Sequence, residues 1–596
     1  MDKFVSLHGH SNMSLLDGMT RINELVDYTL DIGQPASCIT DHGVMYSIVD
    51  HFQYATSHGQ KPIAGFEAYL VKDHKIKNKE EAQSETENKR EHMVLLAMNN
   101  DGYKRITKMC SIGATEGFYY RPRIDDQVIE QVGTDGVIGM SACLAGRIAQ
   151  RIMKDDIEGA EKWAIYYSKL FKGNFYLELQ PTIEPNQIKV NLGIIEIHKK
   201  TGIPVVATSD FHYLKREDAP THDALLAIQS RSLIDDPNRW RFPGDTFFVM
   251  TRKEILSLFQ QNGHEVLDQK VIETAVDTTV EIAEKCNVSF EWGKAYLPVV
   301  NPPKDNIEFN DWAEKKKVSK PEETDSMRYM RYLCIKGLKK MNLTSQEYRD
   351  RLEFEIDVIN KMGFPDYFLI MEDIMRFCRD SGIPVGPARG SGGGSLVAYA
   401  LGITQIDPLK YHLLFERFLN PERGKLPDID SDFCIERGPE VFEYIIKKYG
   451  KENCCNVATF GRLQLKAVIK DLAKAMDVPF EEVNNITKMI PDDIKHIDEL
   501  KDLEEFRPFF DKYQGIYEHA KKLEGSPRHV SQHPAGICVT PIPVVDLIPV
   551  QNAKETTEGV EPGFLSQFEK EQCESAGLNV YWPLKSRLYA GNLKAA

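Results

Sequence analysis

The chain has 596 residues, of which 42% are apolar and 27% charged, and its formal net charge is -15. This length predicts three or four units that each bury a core, and the sequence shows no run near the roughly 18 apolar residues of a membrane span. Its start lacks a signal region, and its eleven cysteines form no regular framework, so a reducing cytoplasm is expected. The acidity does not exclude a nucleic-acid partner, because a local basic groove and metal-binding carboxylates can coexist.

The first part of the chain, residues 1 to about 275, alternates short β-like runs with amphipathic helical stretches. Residues 35–40 and 202–208 are typical of such strands. This alternation predicts an α/β barrel or a doubly wound sheet. Clustered prolines and charges at 298–320 mark the start of a second domain.

Histidines and carboxylates follow several of the predicted strands. His8 and His10 come after an apolar run, and their spacing of two puts both imidazoles on one face of a strand. His42 follows another such run, as do Asp210 and His212. Strand ends at one rim of an α/β barrel are where sites are built. Imidazole with carboxylate suits Zn²⁺, Mn²⁺ or Fe²⁺, and several such ions together can generate hydroxide and clamp a phosphate.

The segments 7–11, 15–18, 40–43 and 210–212 resemble the motifs of the polymerase-and-histidinol-phosphatase (PHP) family over the whole first domain. The resemblance implies a distorted α/β barrel that binds three metals and hydrolyses phosphodiesters. Its implied metal ligands are His8, His10, Asp17, His42, Glu67, His92, Cys143, Asp210 and His212. A buried structural thiol is an equally good interpretation of Cys143.

A glycine-rich run at 384–395 precedes the apolar stretch 396–401. Glycines let a ligand approach backbone N–H groups, and the N-terminus of a following helix would favour phosphate. We therefore predict a phosphate-binding loop with Arg389 as its charged clamp. It is not a Walker loop, because no Gly-Lys-Ser/Thr ends it, and a flexible linker is the alternative.

An aspartate-rich strand follows some forty residues later. In an extended strand Asp428, Asp430 and Asp432 point to one side, where their charges repel unless cations lie between them. Two Mg²⁺ ions would relieve that repulsion and activate a 3′-hydroxyl for attack on an α-phosphate. An acidic turn or a Ca²⁺ loop is the alternative, although the EF-hand glycine and terminal glutamate are absent.

Together with 402–409 and 414–423, these motifs resemble the C family of bacterial and phage replicative DNA polymerases, to which DNA polymerase III alpha subunits belong. The resemblance runs from residue 1 to about residue 578. It implies a multidomain α/β protein in which a PHP domain precedes a polymerase-beta-like palm with an inserted helical thumb. The implied divisions are PHP domain 1–275, palm 276–458, thumb 459–535, palm return 536–578 and a divergent tail 579–596.

The resemblance also assigns roles within the palm and thumb. Asp428 and Asp430 would hold the two catalytic Mg²⁺ ions, whereas Asp432 receives no role. The implied contacts to the incoming triphosphate are Arg389, Gly390, Ser391, Arg417 and Arg423. Lys466, Lys470 and His533 would contact DNA or nucleotide, and a solvated surface charge is about as good an interpretation of each.

The resemblance ends near residue 578. C-family polymerases continue there into a strand with a third catalytic aspartate, and Trp582 stands at the corresponding position. We therefore expect this chain to need a continuation, or a second polypeptide, that carries this aspartate and the fingers. A split gene, an intron, a frameshift and an assembly error all remain open as explanations.

Three functions follow as hypotheses. The first is a replicative DNA polymerase catalytic subunit, with primed DNA, deoxynucleoside triphosphates and replisome proteins as partners, in the cytoplasm of a bacterium or phage-infected host, with no membrane partner. The second is a metal-dependent 3′-to-5′ exonuclease or phosphoesterase that works through the PHP domain. The third is a non-catalytic remnant that binds DNA.

Overall fold

The computed structural model describes residues 4–77, 90–315, 323–423, 429–434, 436–501, 503–553 and 563–586, with only the backbone of Arg423 and of 582–586. It is a mixed α/β, multidomain protein, as predicted. Contacts divide it into a first unit, Met1–Phe290 with Phe460–Ser531, and a second unit, Glu291–Thr459 with Gln532–Ala596. Within the described stretches, no helix is both long enough and apolar enough to cross a membrane.

The first unit contains a six-stranded sheet in the order β1-β2-β3-β4-β5-β6. Neighbours pair in parallel except at β2–β3 and β3–β4, which are antiparallel. The strands are β1 Ala36–Ile39, β2 Lys61–Leu70, β3 Glu91–Ala97, β4 Val137–Met140, β5 Phe175–Leu179 and β6 Val205–Ala207.

Helices cover this sheet, and the last of them extends beyond residue 275. Ile282 and Cys286 pack in one buried cluster with Val5, Val94 and Ile138, so residues up to 290 belong to the first unit. The helices are α1 Ile22–Asp31, α2 Ile48–Ser57, α3 Asn100–Thr115, α4 Asp126–Val132, α5 Arg147–Met153, α6 Ile157–Leu170, α7 Pro185–Thr201, α8 Ala219–Ser230, α9 Arg252–Leu258 and α10 Gln269–Lys285.

The extended N-terminal segment joins the two ends of this sheet. Gly9 forms a parallel bridge with Phe211, just after β6, and its carbonyl accepts a hydrogen bond of 2.8 Å from Thr40 N, just after β1. A Cβ at Gly9 would lie 2.0 Å from the Phe211 ring, so only glycine allows this approach. The segment thereby closes the sheet into a distorted barrel and brings the strand ends that carry His10, His42 and Asp210 together.

The predicted thumb folds with the first unit. Ile234 N donates to Ala475 O at 2.8 Å, Thr221 Oγ1 lies 3.0 Å from His519 Nδ1, and Lys522 pairs with Asp218. The helices of this segment are α17 Leu465–Ala475, α18 Phe480–Met489, α19 Ile497–Lys501, α20 Arg507–Lys512 and α21 Gln514–Leu523. Of these, α17 and α21 pack on α8.

The second unit contains a sheet in the order β10-β11-β8-β9-β12-β7. Its strands are β7 Asp430–Cys434, β8 Cys454–Arg462, β9 Pro527–Val539, β10 Val550–Asn552, β11 Phe564–Ser566 and β12 Val580–Ser586. The chain enters the helical segment from β8 and returns in β9. β12, formed by residues expected to be a divergent tail, pairs in parallel with β7.

Seven helices of the described residues accompany this sheet. Tyr367 and Phe368 share one buried core with Ile429, Phe433 and Tyr581, so helix packing fixes the position of β7. The helices are α11 Ile307–Lys315, α12 Asp325–Lys340, α13 Gln346–Met362, α14 Pro365–Asp380, α15 Leu396–Ala400, α16 Gly438–Tyr449 and α22 Lys570–Ser575.

Candidate functional site

All nine side chains predicted as PHP metal ligands lie together in the first unit. Three of them, His8, His10 and Glu67, are fully buried. The other six line a cavity of about 840 Å³, and they are Asp17, His42, His92, Cys143, Asp210 and His212. The fold therefore brings these nine residues together, although they span more than 200 positions of the sequence.

His8, His10 and Asp210 form the deepest group. Asp210 Oδ1 lies 3.0 Å from His10 Nε2 and 3.3 Å from His8 Nε2. Asp210 has a φ of 50°, a left-handed backbone conformation that a non-glycine residue adopts at some cost. The strand end thereby turns its carboxylate toward both imidazoles, as a shared cation would require.

Glu67 links this group to a second one. Its Oε1 lies 3.2 Å from His8 Nε2 and 3.0 Å from His92 Nδ1, and its Oε2 lies 2.6 Å from His42 Nδ1. Asp17 Oδ2 lies 2.9 Å from His42 Nε2. One buried carboxylate therefore touches three imidazoles from three different chain segments.

His212 and Cys143 complete the set. The ring of His212 lies 4.4 Å from the ring of His10. His212 Nδ1 donates to Asp210 O at 2.8 Å, so His212 Nε2 is the ring nitrogen that could bind a cation. Cys143 Sγ is 3.8 Å from His92 Nδ1, and burial raises the pKa of its thiol well above the usual value. Cys143 is therefore placed to contact a cation beside His92.

Several buried atoms in this group have no hydrogen-bond partner: His8 Nε2, His42 Nδ1, Glu67 Oε2 and His212 Nε2. Oxygen and nitrogen atoms approach them closely, as at 2.6 Å between His42 and Glu67, but outside hydrogen-bond geometry. Buried polar atoms are otherwise almost always satisfied. Unsatisfied nitrogen and oxygen atoms that lie this close together fit ligands of divalent cations.

The electrostatics agree with this interpretation. Burial lowers the pKa of His10 to about 3, and the nearby His42 adds to the effect. Burial also opposes the charge on Glu67, but His92 and His42 outweigh it and hold the pKa of that carboxyl well below its usual value. The carboxylates therefore stay ionised in a buried site, where a cation would stabilise them.

Sequence reasoning missed a carboxylate that positions His8. Glu178 Oε2 lies 2.9 Å from His8 Nδ1, and the same side chain accepts from Ala142 N at 2.8 Å and from Thr208 Oγ1 at 2.6 Å. A carboxylate on the second ring nitrogen is the usual support of a metal-binding histidine. The only signal in the sequence is a lone glutamate in the apolar strand β5.

The rim of the cavity is basic and aromatic. Arg90, Arg121 and Arg241 line it and are exposed, and Trp240 beside them is 60% exposed. Arg241 is held by a hydrogen bond of 2.9 Å to Asp236 O, and Trp240 packs against Phe242 with ring centroids 5.0 Å apart. Arginine side chains and an exposed aromatic ring at the entrance fit a ligand that has both a phosphate group and a nucleobase.

A smaller group of potential ligands lies elsewhere in the first unit, at Asp73, His74 and Asp125. His74 Nδ1 lies 2.6 Å from Asp125 Oδ2, while Asp125 Oδ1 accepts from Val128 N at 3.0 Å and thereby caps α4. These contacts connect the segment just after β2 to the first turn of α4.

The second predicted site lies in the second unit, where β7 presents Asp430 and Asp432 on one face. Both are partly exposed, whereas Ser431 and Phe433 between and after them are buried. Arg389 approaches both carboxylates, with Nε 3.9 Å from Asp430 Oδ2 and Nη1 3.4 Å from Asp432 Oδ1. The alternation predicted for these two aspartates is thus present, and Asp428 lies outside the described residues.

The glycine-rich run passes directly beside this strand. Gly386 N donates to Asp432 O at 2.8 Å, and Gly390, with a φ of +63°, places its Cα hydrogens toward Asp430. A Cβ built at Gly390 would be 3.5 Å from Asp430 Oδ2. Gly390 and Ser391 begin a short 3-10 helix, Gly390–Gly394, which we call the phosphate loop.

The prediction that the following helix would offer its N-terminus to phosphate is wrong. Glu355 occupies that position, with Oε1 accepting from Leu396 N and Oε2 from Val397 N, both at 3.0 Å. Ser395 Oγ caps the same helix by accepting from Ala398 N at 3.1 Å. The first N–H groups of this helix are therefore already bonded within the protein and are not open to a phosphate.

The remaining predicted contacts are spread more widely. Arg417 is exposed at the end of the 3-10 helix Phe415–Arg417, and Arg423 ends the 3-10 helix Pro421–Arg423. Lys466 and Lys470 are exposed one turn apart on α17 in the first unit, and Lys466 Nζ lies 3.7 Å from Asp492. His533, in the second unit, accepts from Ala535 N at 3.2 Å and Gly536 N at 3.1 Å.

Two protein families match the chain. Residues 6–182 match the PHP domain, and residues 328–579 match the bacterial DNA polymerase III alpha NTPase domain. Together with the sites above, these matches define a protein in which a PHP domain precedes a domain of the bacterial DNA polymerase III alpha type. The chain belongs to the DNA polymerase III alpha subunit family.

Curated relatives match along nearly the whole chain. DNA polymerase III subunit alpha of Borreliella burgdorferi is 38% identical over 97% of this chain and 48% of its own length. The Treponema pallidum and Thermus aquaticus subunits are 36% and 33% identical, over 96% and 97% of this chain and 46% and 50% of their own lengths. The chain therefore spans about half the length of these relatives.

Among solved structures, an amidohydrolase from Chromobacterium violaceum matches 35% of this chain and 87% of its own chain, at 14% identity with a TM-score of 0.22. A score this low does not establish a shared fold.

Proposed function

We propose that this chain carries the catalytic core of a replicative DNA-directed DNA polymerase, which transfers nucleotides to a primer 3′-hydroxyl. The observation that carries the proposal is the meeting of Asp430, Asp432 and Arg389 beside the phosphate loop. Carboxylates for cations and an arginine for phosphate are thereby placed on one surface. Primed DNA and deoxynucleoside triphosphates are the substrates that this chemistry requires.

Each predicted site residue of the second unit would have a distinct role in this reaction. Asp430, with Asp428, would hold Mg²⁺, and the chemistry that these cations supply is activation of the hydroxyl and neutralisation of the phosphate charge. The guanidinium of Arg389 would leave Asp432 to contact the triphosphate, since its contact at 3.4 Å is long and it is 54% exposed. Gly390 and Ser391 would approach the phosphates through their backbone, and Arg417 and Arg423 would add positive charge.

A complete site needs a further carboxylate. β12 pairs with β7 so that Trp582 lies opposite Asp430, and the resemblance to C-family polymerases implies a third catalytic aspartate at position 582. Loss of one such group corresponds to a rate reduction of roughly 10³-fold, or about 4 kcal/mol. A second segment that carries this aspartate would complete the site. Replisome partners and a cytoplasmic location stay predictions.

Primer extension tests the proposal. The purified chain should extend a primed template at an undetectable rate, and addition of the C-terminal half of a relative should restore extension. Asp430→Ala should abolish the restored activity, whereas Glu353→Gln, an exposed change elsewhere in the second unit, should not. Full activity of Asp430→Ala would refute the proposal, whereas robust extension by the chain alone would refute only the need for a further carboxylate.

A second function is supported by the ligand cluster of the first unit. We propose that the PHP site hydrolyses phosphodiesters, as a 3′-to-5′ exonuclease or phosphoesterase, with Zn²⁺, Mn²⁺ or Fe²⁺ held by its histidines and carboxylates. The orphaned ring nitrogens of His8, His42 and His212 and the arginines of the rim support it. His10 and Asp210 would hold the cations, while Arg121 and Arg241 would orient the phosphate.

Degradation of single-stranded DNA in Mn²⁺ tests this second function. Wild type should shorten the strand from its 3′ end, His10→Ala should be inactive, and Arg241→Gln should raise KM more than it lowers kcat. A metal-free, inactive wild-type protein would reject hydrolysis. Salt-dependent DNA binding with no metal-dependent reaction in either unit would instead identify a non-catalytic DNA-binding protein.

A further inference from the structure

Arg351 and Glu355, one turn apart on α13, form a charge pair beside the phosphate loop, in which Glu355 is buried and Arg351 is 22% exposed. Arg351 Nε donates to Glu355 Oε1 at 2.6 Å, and Glu355 is fully buried. Buried charges are costly unless every polar atom is satisfied. The other hydrogen-bond partners of these two side chains therefore indicate which segments the pair holds in place.

The carboxylate of Glu355 is directed at the end of the phosphate loop. Besides Arg351, it accepts from Leu396 N and Val397 N at 3.0 Å and from Ser395 Oγ at 2.9 Å. These bonds fix the first residues of α15 immediately after Gly394. Because Glu355 fills this helix terminus with negative charge, it also keeps an anionic ligand on the preceding loop.

Arg351 reaches two chain segments at once. Its Nη2 donates to Gly394 O at 3.0 Å, at the end of the phosphate loop, and to Leu413 O at 3.2 Å. Leu413 begins the segment 413–417, which we call the Arg417 turn. The two segments also meet directly, since a Cβ at Gly394 would lie 2.7 Å from Leu414 O.

We infer that Arg351 and Glu355 are positioning residues that hold the phosphate loop and the Arg417 turn at a fixed separation for a nucleoside triphosphate. Neither side chain touches the nucleotide, and both act through Gly394, α15 and Leu413. This inference rests on the proposed polymerase function, since that function assigns the loop and Arg417 to the triphosphate. It goes beyond it by naming the two residues that couple these segments.

Hydrogen–deuterium exchange tests the coupling without any nucleotide. In the full chain, Glu355→Gln should accelerate exchange at Leu396 and Val397, because an amide cannot accept all the bonds of the carboxylate. Arg351→Lys should accelerate exchange in 411–418 and in the loop, since one ammonium cannot replace the planar fork. The matched control is Glu353→Gln, two residues away on the same helix, where the side chain is 51% exposed and pairs with Arg331.

Binding of dATP in Mg²⁺ tests the consequence. Both variants should raise the Kd about tenfold, as loss of a hydrogen bond to a charged group would, while the control binds as wild type and all melt within a few degrees. Variants that bind dATP as tightly as wild type, or exchange that rises in neither segment, would overturn the inference. Failure of wild type to bind dATP, with coupled exchange intact, would instead overturn the proposed function.

Discussion

Trp582 lies opposite Asp430 in the parallel pairing of β12 with β7, and Leu584 lies opposite Asp432. Residues opposite one another in neighbouring strands belong to the same face of a sheet. Position 582 is therefore the β12 neighbour of Asp430, and the residue there decides whether β12 offers a carboxylate at this register position.

Replacement of Trp582 by aspartate should add the missing ligand. We expect Trp582→Asp to bind Mn²⁺, in the presence of dATP, about tenfold more tightly than wild type, because affinity for hard cations rises with the number of carboxylates. Paramagnetic resonance of free Mn²⁺ measures this. Trp582→Asn is the control of equal size, and equal Mn²⁺ affinities for the aspartate and asparagine variants would contradict the prediction.

Loss of the carboxylate behind His8 should weaken the PHP centre. Glu178→Gln keeps the size of the side chain but removes the charge that supports His8 Nδ1. Such supporting contacts are worth roughly 10- to 100-fold in metal affinity, and competition with a Zn²⁺ chelator measures this. The control Glu158→Gln, on the exposed face of α6, should leave the Zn²⁺ affinity unchanged. An unchanged Zn²⁺ affinity in Glu178→Gln would contradict the prediction.

The histidine pairs were predictable because local patterns determine which way they face. His8 and His10 both approach Asp210 from one extended segment, as their spacing of two predicted, although this segment is not a strand of the sheet. Asp210 and His212 follow an apolar run that becomes β6. Glu178 was not predictable, because its contact with His8 joins residues 170 positions apart and depends on the pairing of β5 with β6. Long-range contacts of this kind leave no periodicity in the sequence.

The phosphate loop shows the same limit. Its glycines predicted a close approach to β7, and Gly386 and Gly390 make it. The helix that follows was expected to offer free N–H groups, but Glu355, forty residues earlier, already accepts from them. Likewise, nothing in the local pattern of residues 459–535 indicated that α17 and α21 pack against α8 of the first unit.

The two predicted metal centres should be separable by chemistry. The first is rich in imidazole and should retain Zn²⁺, Mn²⁺ or Fe²⁺ through dialysis, whereas carboxylates alone should hold Mg²⁺ weakly. Elemental analysis at pH 7.5 and 5.5 should show metal lost at the lower pH, since protonated imidazole cannot coordinate.

Paired substitutions identify which centre holds the retained metal. His8→Ala with His10→Ala should remove most of it at pH 7.5, and Asp428→Ala with Asp430→Ala should remove little. The assignment fails if the histidine changes leave the metal content unaltered or if the aspartate changes remove most of it.

A buried histidine remote from the cavity should make the first unit sensitive to acid. His51, on α2, is fully buried, and its Nε2 lies 2.8 Å from Ser37 Oγ. Burial lowers its pKa to about 3. The ordinary histidine pKa is about 6.5, so between these values the unfolded chain binds a proton that the folded chain does not. The contribution of His51 to the free energy of unfolding should therefore be fully present above about pH 6.5. It should be lost progressively as the pH falls toward 3.

Urea unfolding of wild type and His51→Gln, in excess chelator to exclude metal release, measures this effect. Each pH unit in the window corresponds to about 1.4 kcal/mol per proton, so wild type should lose about 2 kcal/mol more than the variant between pH 7.5 and 5.0. The variant itself should be less stable at pH 7.5, because glutamine fills the ring's space poorly. His58→Gln, an exposed change just after α2, should follow the wild-type pH dependence. Parallel pH profiles for wild type and His51→Gln would show that His51 does not carry the acid sensitivity.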